Sequence, residues 1–284
     1  MSALRVQPLD GPFGAEVHGV VADQLDEEAR RELQAAFDEY GLLVIRDPDL
    51  AYPTQQHFVE MLVREDLSSS DELDVQPSAY VSNREEGASS AAGLILFHTD
   101  GMWSSEPFKL VSLYAVQVEA GASPTRFAGM ATAWQTLPDD LRARVEGLHV
   151  VQCQGTSRGV QDGDEKLTID PNAKGVSRVT PIAQAHPRTG RPVLYVSEQQ
   201  TREIVELPGA EGDALLDQLL DHLYQPENML EHEWRDGDLV AWDNLAVQHA
   251  RPEVTMDGPA RTLRRAVVPP PWLWAGIQEY AASS

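Results

Sequence analysis

The stretch Lys109–Val118 constrains the fold most, because it is apolar on both faces of any strand it forms. Alternation places Leu110, Ser112, Tyr114 and Val116 on one face, opposite Val111, Leu113 and Ala115. A strand covered on both sides belongs in the middle of a sheet. Short strand patterns recur around it, at Leu42–Ile45, Ala79–Ser82, Pro181–Ala185, Val193–Val196, Leu230–Trp234, Asp238–Trp242 and Thr262–Val268. Their close spacing, with turn residues between them, predicts a mainly β fold with flanking helices, built as a barrel or double-sheet roll.

The helices announce themselves by a different period. From Asp26, the residues Ala29, Leu33, Ala36, Phe37 and Tyr40 fall on one face, with acidic residues in the first turn and Gly41 as the stop. Pro53 opens a second helix that turns Phe58, Met61 and Leu62 inward, and Asp213–Tyr224 forms another. Ala128–Thr136 and Pro138–Gly147 read as short helices. Residues 155–178 form a polar insert rich in Gly, long enough to act as a lid. Neither an internal repeat nor a second composition regime interrupts the chain, which predicts one domain over residues 1–284.

Composition excludes several function classes. A formal charge of −23 argues against nucleic acid, whose binding needs Lys and Arg to neutralise phosphates, and against an anionic membrane surface. The single cysteine, Cys153, permits neither an intrachain disulfide nor a cysteine-based zinc site. The start of the chain lacks signal-peptide features and no apolar run is long enough to span a bilayer, so a cytoplasmic location is expected.

The chemistry centres on Phe97-His98-Thr99-Asp100 and on His249 in Trp242-Asp243-Asn244-Leu245-Ala246-Val247-Gln248-His249. On a strand, His98 and Asp100 project to one face. Two imidazoles and one carboxylate on one side of a metal leave the opposite positions open, an arrangement suited to Fe(II) that binds a co-substrate and O2 together. Taken alone, His-x-Asp also fits a surface histidine beside an N-cap aspartate. The small-residue run Gly121-Ala122-Ser123-Pro124-Thr125 and the cluster Arg261-Thr262-Leu263-Arg264-Arg265 accompany the motif.

These motifs, with Gly14–Gly19, Gly41–Asp47, His186–Val196 and Gly237–Asn244, give the chain a resemblance over most of its length to the taurine dioxygenase and 2,4-dichlorophenoxyacetate dioxygenase group. The resemblance implies a double-stranded β-helix, or jelly-roll, core of cupin-like form. It implies Fe(II) held by His98, Asp100 and His249, with 2-oxoglutarate and O2 as co-substrates and succinate and CO2 as products. It further places the distal carboxylate of 2-oxoglutarate on Arg265 and the Thr125 hydroxyl, with Arg261 as a neighbour that touches the same group. On a strand Arg261 and Arg265 share a face, while Arg264 points the other way, to solvent or an acidic partner. The reaction expected is hydroxylation, or desaturation, of a C–H bond.

Tyr80, Ser82, Asn83, Trp103, Gln199 and Arg158 are the candidate substrate residues, beside a mobile wall at residues 84–92. Lys166 and Lys174 lie in the insert with Arg158 and Arg178, a local basic excess that points to a small anionic substrate. Leu94 stands where taurine-type enzymes carry an amide, which argues against taurine itself. Two competing functions remain open on the sequence: a cupin-type metalloenzyme that does not use 2-oxoglutarate, and a non-catalytic interaction protein. The tail Pro269-Pro270-Pro271-Trp272-Leu273-Trp274 reads as packing against the barrel or against a second subunit of a homo-oligomer.

Overall fold

The structure, a computed structural model, describes residues 4–67, 76–154 and 177–271. Most of the expected lid, with Arg158, Lys166 and Lys174, lies outside the described residues, as do Trp272–Trp274 of the tail.

Leu110–Val118 is an interior strand, paired antiparallel with Leu239–Asp243 on one side and Arg261–Val268 on the other. It belongs to a seven-stranded sheet that continues through Leu42–Ile45, Ala15–His18 and Arg5–Pro8 at one end and Tyr80–Ser82 at the other. The double-sided apolar pattern follows directly. Leu43, Ile45, Leu110, Ala241 and Ala266 face outward into a core shared with the helices Glu27–Tyr40 and Tyr52–Leu62. Their alternates Leu42, Val44, Val111, Val240 and Trp242 face inward, where they meet Phe127 and Val247.

Phe127 and Val247 come from a second sheet of four strands, ordered Met229–His232, Thr125–Gly129, Val247–Val254 and Gly93–His98. The two sheets thus face each other across one apolar interior. A separate core lies under the helices Met130–Thr136 and Ala210–Leu223. The result is sheet-rich with a few flanking helices. Among the described residues, no helix is long and apolar enough to cross a membrane. Cys153 is a free, buried thiol.

The helix Glu27–Tyr40 has the ends its sequence calls for. The Asp26 carboxylate accepts the Ala29 amide at 2.9 Å, satisfying one of the orphan donors of the first turn. Gly41 closes it at φ 68°, a left-handed conformation glycine adopts without a side-chain penalty.

Two strands depart from the sequence reading. Thr125–Gly129 is a strand, and the helix expected from Ala128 begins only at Met130. At the switch, a Cβ on Gly129 would stand 2.9 Å from the Phe13 ring, so close packing selects glycine there. Val247–Val254 is also a strand, although its run of Gln248, His249, Arg251 and Pro252 shows no apolar alternation. Gln248 and Arg251 are buried polar residues in positions that apolar ones would ordinarily fill.

One carboxylate ties the two sheets at their edge. Asp238 Oδ2 accepts Arg46 Nη1 at 2.6 Å, His232 Nε2 at 3.1 Å and the Arg235 amide at 3.0 Å. Burial opposes its ionisation, but the hydrogen bonds from His232 and Arg46 outweigh this and hold the carboxyl below its ordinary range. Its stabilisation is therefore present above the unfolded carboxylate pKa and fades as pH falls through the lower folded value. Asp238→Ala is expected to cost about 2–4 kcal/mol at neutral pH, by stranding the buried His232 and the half-buried Arg46. The gap from the wild type should narrow in acid, as read by urea unfolding across pH.

Candidate metal centre

His98 closes the strand Gly93–His98, and its Cα is the cross-strand partner of His249 in Val247–Val254. This register sets the two imidazoles 4.1 Å apart between ring centroids. Asp100 arrives differently from the sequence expectation. The strand ends at His98, and Asp100 lies in the turn that follows, where Met102 N–H donates to the Thr99 carbonyl and Gly101 has φ 76°. A turn, rather than strand alternation, brings the carboxylate back beside His98, with Oδ1 3.2 Å from His98 Nε2.

Asn244 fixes that turn. Its Oδ1 accepts the Asp100 amide at 3.0 Å, and its Nδ2 donates to the Asp100 and Phe108 carbonyls at 2.9 and 2.7 Å. Asn244 is wholly buried and directly follows the strand Leu239–Asp243 of the larger sheet. The turn that carries Asp100, beside one sheet, is therefore anchored by the other.

The donor set suits a divalent transition metal. One ligand atom from each of His98, Asp100 and His249 lies within 4.8 Å of the others. His98 Nδ1 is 2.8 Å from the Leu96 carbonyl, which can only accept, so Nδ1 carries the proton and Nε2 faces Asp100. A proton between Nε2 and Oδ1 or a divalent cation can occupy that position. Burial, with His98 and Arg265 nearby, pushes His249 down to about 3 despite Asp100, which leaves a neutral ring with a free lone pair. Burial opposes ionisation of Asp100 too, but the contact from His98 and the charge of Arg265 hold it well below the carboxylate range. Two imidazole nitrogens and one carboxylate match the preferences of a borderline metal such as Fe(II).

The triad lines a cavity of about 310 Å³, of the size that takes a small ligand. Its apolar wall includes Val81, Leu94, Leu96, Val111 and Leu113, and Trp242 packs 4.8 Å from His249 between ring centroids. Three guanidiniums, of Arg251, Arg261 and Arg265, complete the lining.

Here the sequence reading needs correction. The guanidinium that meets Thr125 belongs to Arg261, not Arg265: Arg261 Nη2 donates to Thr125 Oγ1 at 2.9 Å and Nε to the Ser123 carbonyl at 2.8 Å. Trp234 Nε1 donates to the same hydroxyl at 3.0 Å, so the Thr125 oxygen is saturated as an acceptor and its own proton remains to be donated. Arg261 Nη1 is buried with no partner among the described residues. Burial and the neighbouring Arg251 lower Arg261 to about 9, leaving it charged at neutral pH. Arg265 instead approaches the metal end, with Nη1 3.8 Å from Asp100 Oδ2. Arg264 does point the other way, but to neither solvent nor acid; it donates to Gln55 Oε1 at 2.9 Å and lies 4.8 Å from the Tyr114 ring centre.

Of the candidate substrate residues, Gln199 lines the cavity, and Tyr80, Ser82, Asn83 and Trp103 do not. Ser82 Oγ is shared with Thr262 Oγ1 at 2.8 Å and accepts the Arg84 amide. Asn83 donates to the Thr255 and Pro259 carbonyls and accepts the Arg261 amide at 2.9 Å, so it frames the arginine strand. Tyr80 pairs across the sheet edge with Arg264. Arg178, expected to add to a basic lid, spends its guanidinium on the carbonyls of Ser104 and Ser105. Asn244 and Arg251 are the residues sequence reasoning passed over. Their signal was position, directly after a buried strand and two residues beyond His249.

Comparison with known proteins gives a consistent picture. The family described as taurine catabolism dioxygenase TauD, TfdA family matches residues 5–267. The (S)-phenoxypropionate/alpha-ketoglutarate-dioxygenase of Sphingobium herbicidovorans is 31% identical over 87% of this chain and 88% of its own. Pentalenolactone F synthase of Streptomyces arenae is 30% identical, covering 93% of this chain and 95% of its own. The crystal structure of AAD-2 in complex with Mn(II) and N-oxalylglycine superposes with a TM-score of 0.74 at 28% identity, over 94% of this chain and 97% of that one.

Because Asn244 positions Asp100 through the backbone on both sides of the peptide, Asn244→Ala is expected to weaken Mn(II) or Fe(II) affinity by about 10- to 100-fold. Metal titration followed by isothermal calorimetry checks this, with circular dichroism to confirm a retained fold.

Proposed function

The chain belongs to the TauD/TfdA family and is a 2-oxoglutarate-dependent dioxygenase, and from that premise we propose that it uses Fe(II) to oxidise a C–H bond of a small anionic organic substrate. The observation that carries the proposal is the meeting, in one cavity, of the His98–Asp100–His249 set with a buried Arg261–Thr125 pair. The two facing sheets read as the double-stranded β-helix of a single domain.

In this reading His98, Asp100 and His249 hold Fe(II). The distal carboxylate of 2-oxoglutarate takes Arg261 Nη1, which lacks an acceptor, together with the Thr125 proton. A planar guanidinium beside a hydroxyl gives a carboxylate paired, charge-assisted hydrogen bonds. Bound Fe(II) supplies the redox chemistry that couples decarboxylation of 2-oxoglutarate by O2, releasing succinate and CO2, to substrate hydroxylation or desaturation.

Arg265 is the anchor for the substrate's anionic group. It is the most accessible of the three cavity guanidiniums, faces the metal end, and has Asp100 at 3.8 Å as its ionic neighbour. Leu94, Leu96 and Val81 give the organic body of the substrate an apolar wall and exclude water from the oxidation site. The phenoxypropionate of the Sphingobium relative has the same combination of carboxylate and apolar body, which supports this substrate class.

Anaerobic titration with Fe(II) and 2-oxoglutarate, followed by the visible metal-to-ligand absorption, tests the assignment. His98→Ala, Asp100→Ala and His249→Ala should abolish the band. Arg261→Met removes a charge-assisted pair of about 2–3 kcal/mol and should raise the 2-oxoglutarate Kd roughly 30- to 150-fold. Arg265→Met should leave that Kd within about threefold and raise the substrate KM instead. Equal loss of 2-oxoglutarate affinity in both arginine variants would overturn the division of roles, and absence of the band in the wild type would overturn the Fe(II) assignment.

A further inference from the structure

Arg251 is 4% exposed, and its guanidinium reaches across the strand pair to the wall of the cavity. Nη1 donates to the Ser90 carbonyl at 2.6 Å, and Nη2 to the carbonyls of Ala92 and Gly93 at 3.1 and 2.9 Å. Three carbonyls of the segment entering the metal strand, those of residues 90, 92 and 93, are thus gathered on one side chain. The backbone bends to allow it: Ser90 has φ 49° and Gly93 φ 87°, both left-handed. Arg251 itself stands between two register shifts, opposite Ile95, in the pairing that carries His98 and His249.

The partners are all neutral. Among the described residues Arg251 forms no ion pair with a carboxylate, and its Nε is buried without an acceptor. Arg261, lining the same cavity, is in the same position, with an unpartnered Nη1 and no ion pair. The two guanidiniums line one cavity as like charges, with no carboxylate among the described residues bonded to either, so they repel one another. A buried like-charge pair with no counter-charge is costly until an anion joins it.

We propose that Arg251 is a positioning residue that couples the anion in the Arg261–Thr125 site to the placement of the cavity wall, residues 90–96. The inference rests on the co-substrate reading above and extends it to a residue outside that pair. The arriving carboxylate offsets the mutual repulsion, which lets Arg251 hold its carbonyl contacts more firmly and sets Ser90, Leu94 and Leu96 against the substrate space. Linkage makes the effect reciprocal: whatever steadies the wall strengthens co-substrate binding.

The test uses the full chain loaded with Mn(II), with N-oxalylglycine as an unreactive dicarboxylate. Hydrogen–deuterium exchange at residues 90–96 and the N-oxalylglycine Kd are measured for the wild type, Arg251→Gln and Arg251→Lys. N-oxalylglycine is expected to slow exchange at 90–96 in the wild type. In Arg251→Gln this slowing should vanish and Kd should rise about five- to tenfold, with the Mn(II) Kd unchanged. Arg251→Lys keeps the charge without the fork, so Kd should stay within about threefold while the slowing is still lost. A purely structural role would instead speed exchange equally with and without the ligand. Wild-type exchange indifferent to the ligand, or ligand-dependent slowing preserved in both variants, overturns the proposal whether or not the Gln variant folds well. Failure of N-oxalylglycine to bind the wild type would remove the co-substrate reading itself, a result distinct from a bound ligand that leaves the wall unchanged.

Discussion

The pairing of Gly93–His98 with Val247–Val254, in the register that opposes His98 to His249, is the contact on which the rest depends. It converts two histidines remote in sequence into neighbours on one face, and it leaves the chain at the point where Asp100 can turn back toward them. Because a slip of one residue would send each imidazole to the opposite face, the register itself is part of the chemistry. The pairing is held from both sides. Thr125–Gly129 flanks the His249 strand within the same sheet, and Asn244, from the facing sheet, grips the Asp100 turn through three hydrogen bonds.

Charge is distributed around this centre in a way the overall acidity hides. Several buried or half-buried cations elsewhere in the molecule meet carboxylates. Arg46 and His232 share Asp238, while Arg188 bridges Asp38 and Asp243, the latter also bonded to His186 at 3.0 Å. In the cavity the balance reverses. Arg251, Arg261 and Arg265 surround a space whose one described carboxylate, Asp100, already serves the imidazoles. Leaving guanidiniums unpaired in an apolar interior costs stability, and such a cost persists where function requires it. On the function proposed above, a ligand carrying two carboxylates would offset it, one group at the metal and one at Arg261. The solvent-facing acidity and the cationic interior are thus separate features, the first concerned with solubility and the second with recognition.

How much of this was legible in the sequence varied with the kind of residue that carries each element. Leu110–Val118 and Leu42–Ile45 were readable because burial on both faces leaves a continuous apolar run. Glu27–Tyr40 was readable through its period and its Asp26 and Gly41 ends. Val247–Val254 was not, since the buried polar residues Gln248 and Arg251 interrupt the apolar Val247, Ala250 and Val254 that it also buries. The two arginines show the limit more finely. Alternation correctly puts Arg261 and Arg265 on one face, but says nothing about depth. Four residues of strand separate their Cα atoms by about 13 Å, so one guanidinium reaches Thr125 while the other reaches Asp100.

Hydrogen-bond saturation separates the polar residues that face the chemistry from those that hold the frame, where proximity in sequence does not. Ser82 and Asn83 lie close to the metal motif in the chain, yet their side chains are committed: Ser82 to Thr262 and the turn after it, Asn83 to both strands of the 255–261 turn. A side chain so engaged has nothing left to offer a ligand without undoing the fold. His249 Nδ1, Arg251 Nε and Arg261 Nη1 are the opposite case, buried atoms without partners among the described residues, on three side chains that line a single cavity. Since native proteins rarely leave buried donors unmet, a group of them around one space marks where an external partner completes the bonding. The same saturation at Asn83 serves the site indirectly, because its Oδ1 fixes the amide of Arg261 and so the direction in which that guanidinium enters the cavity.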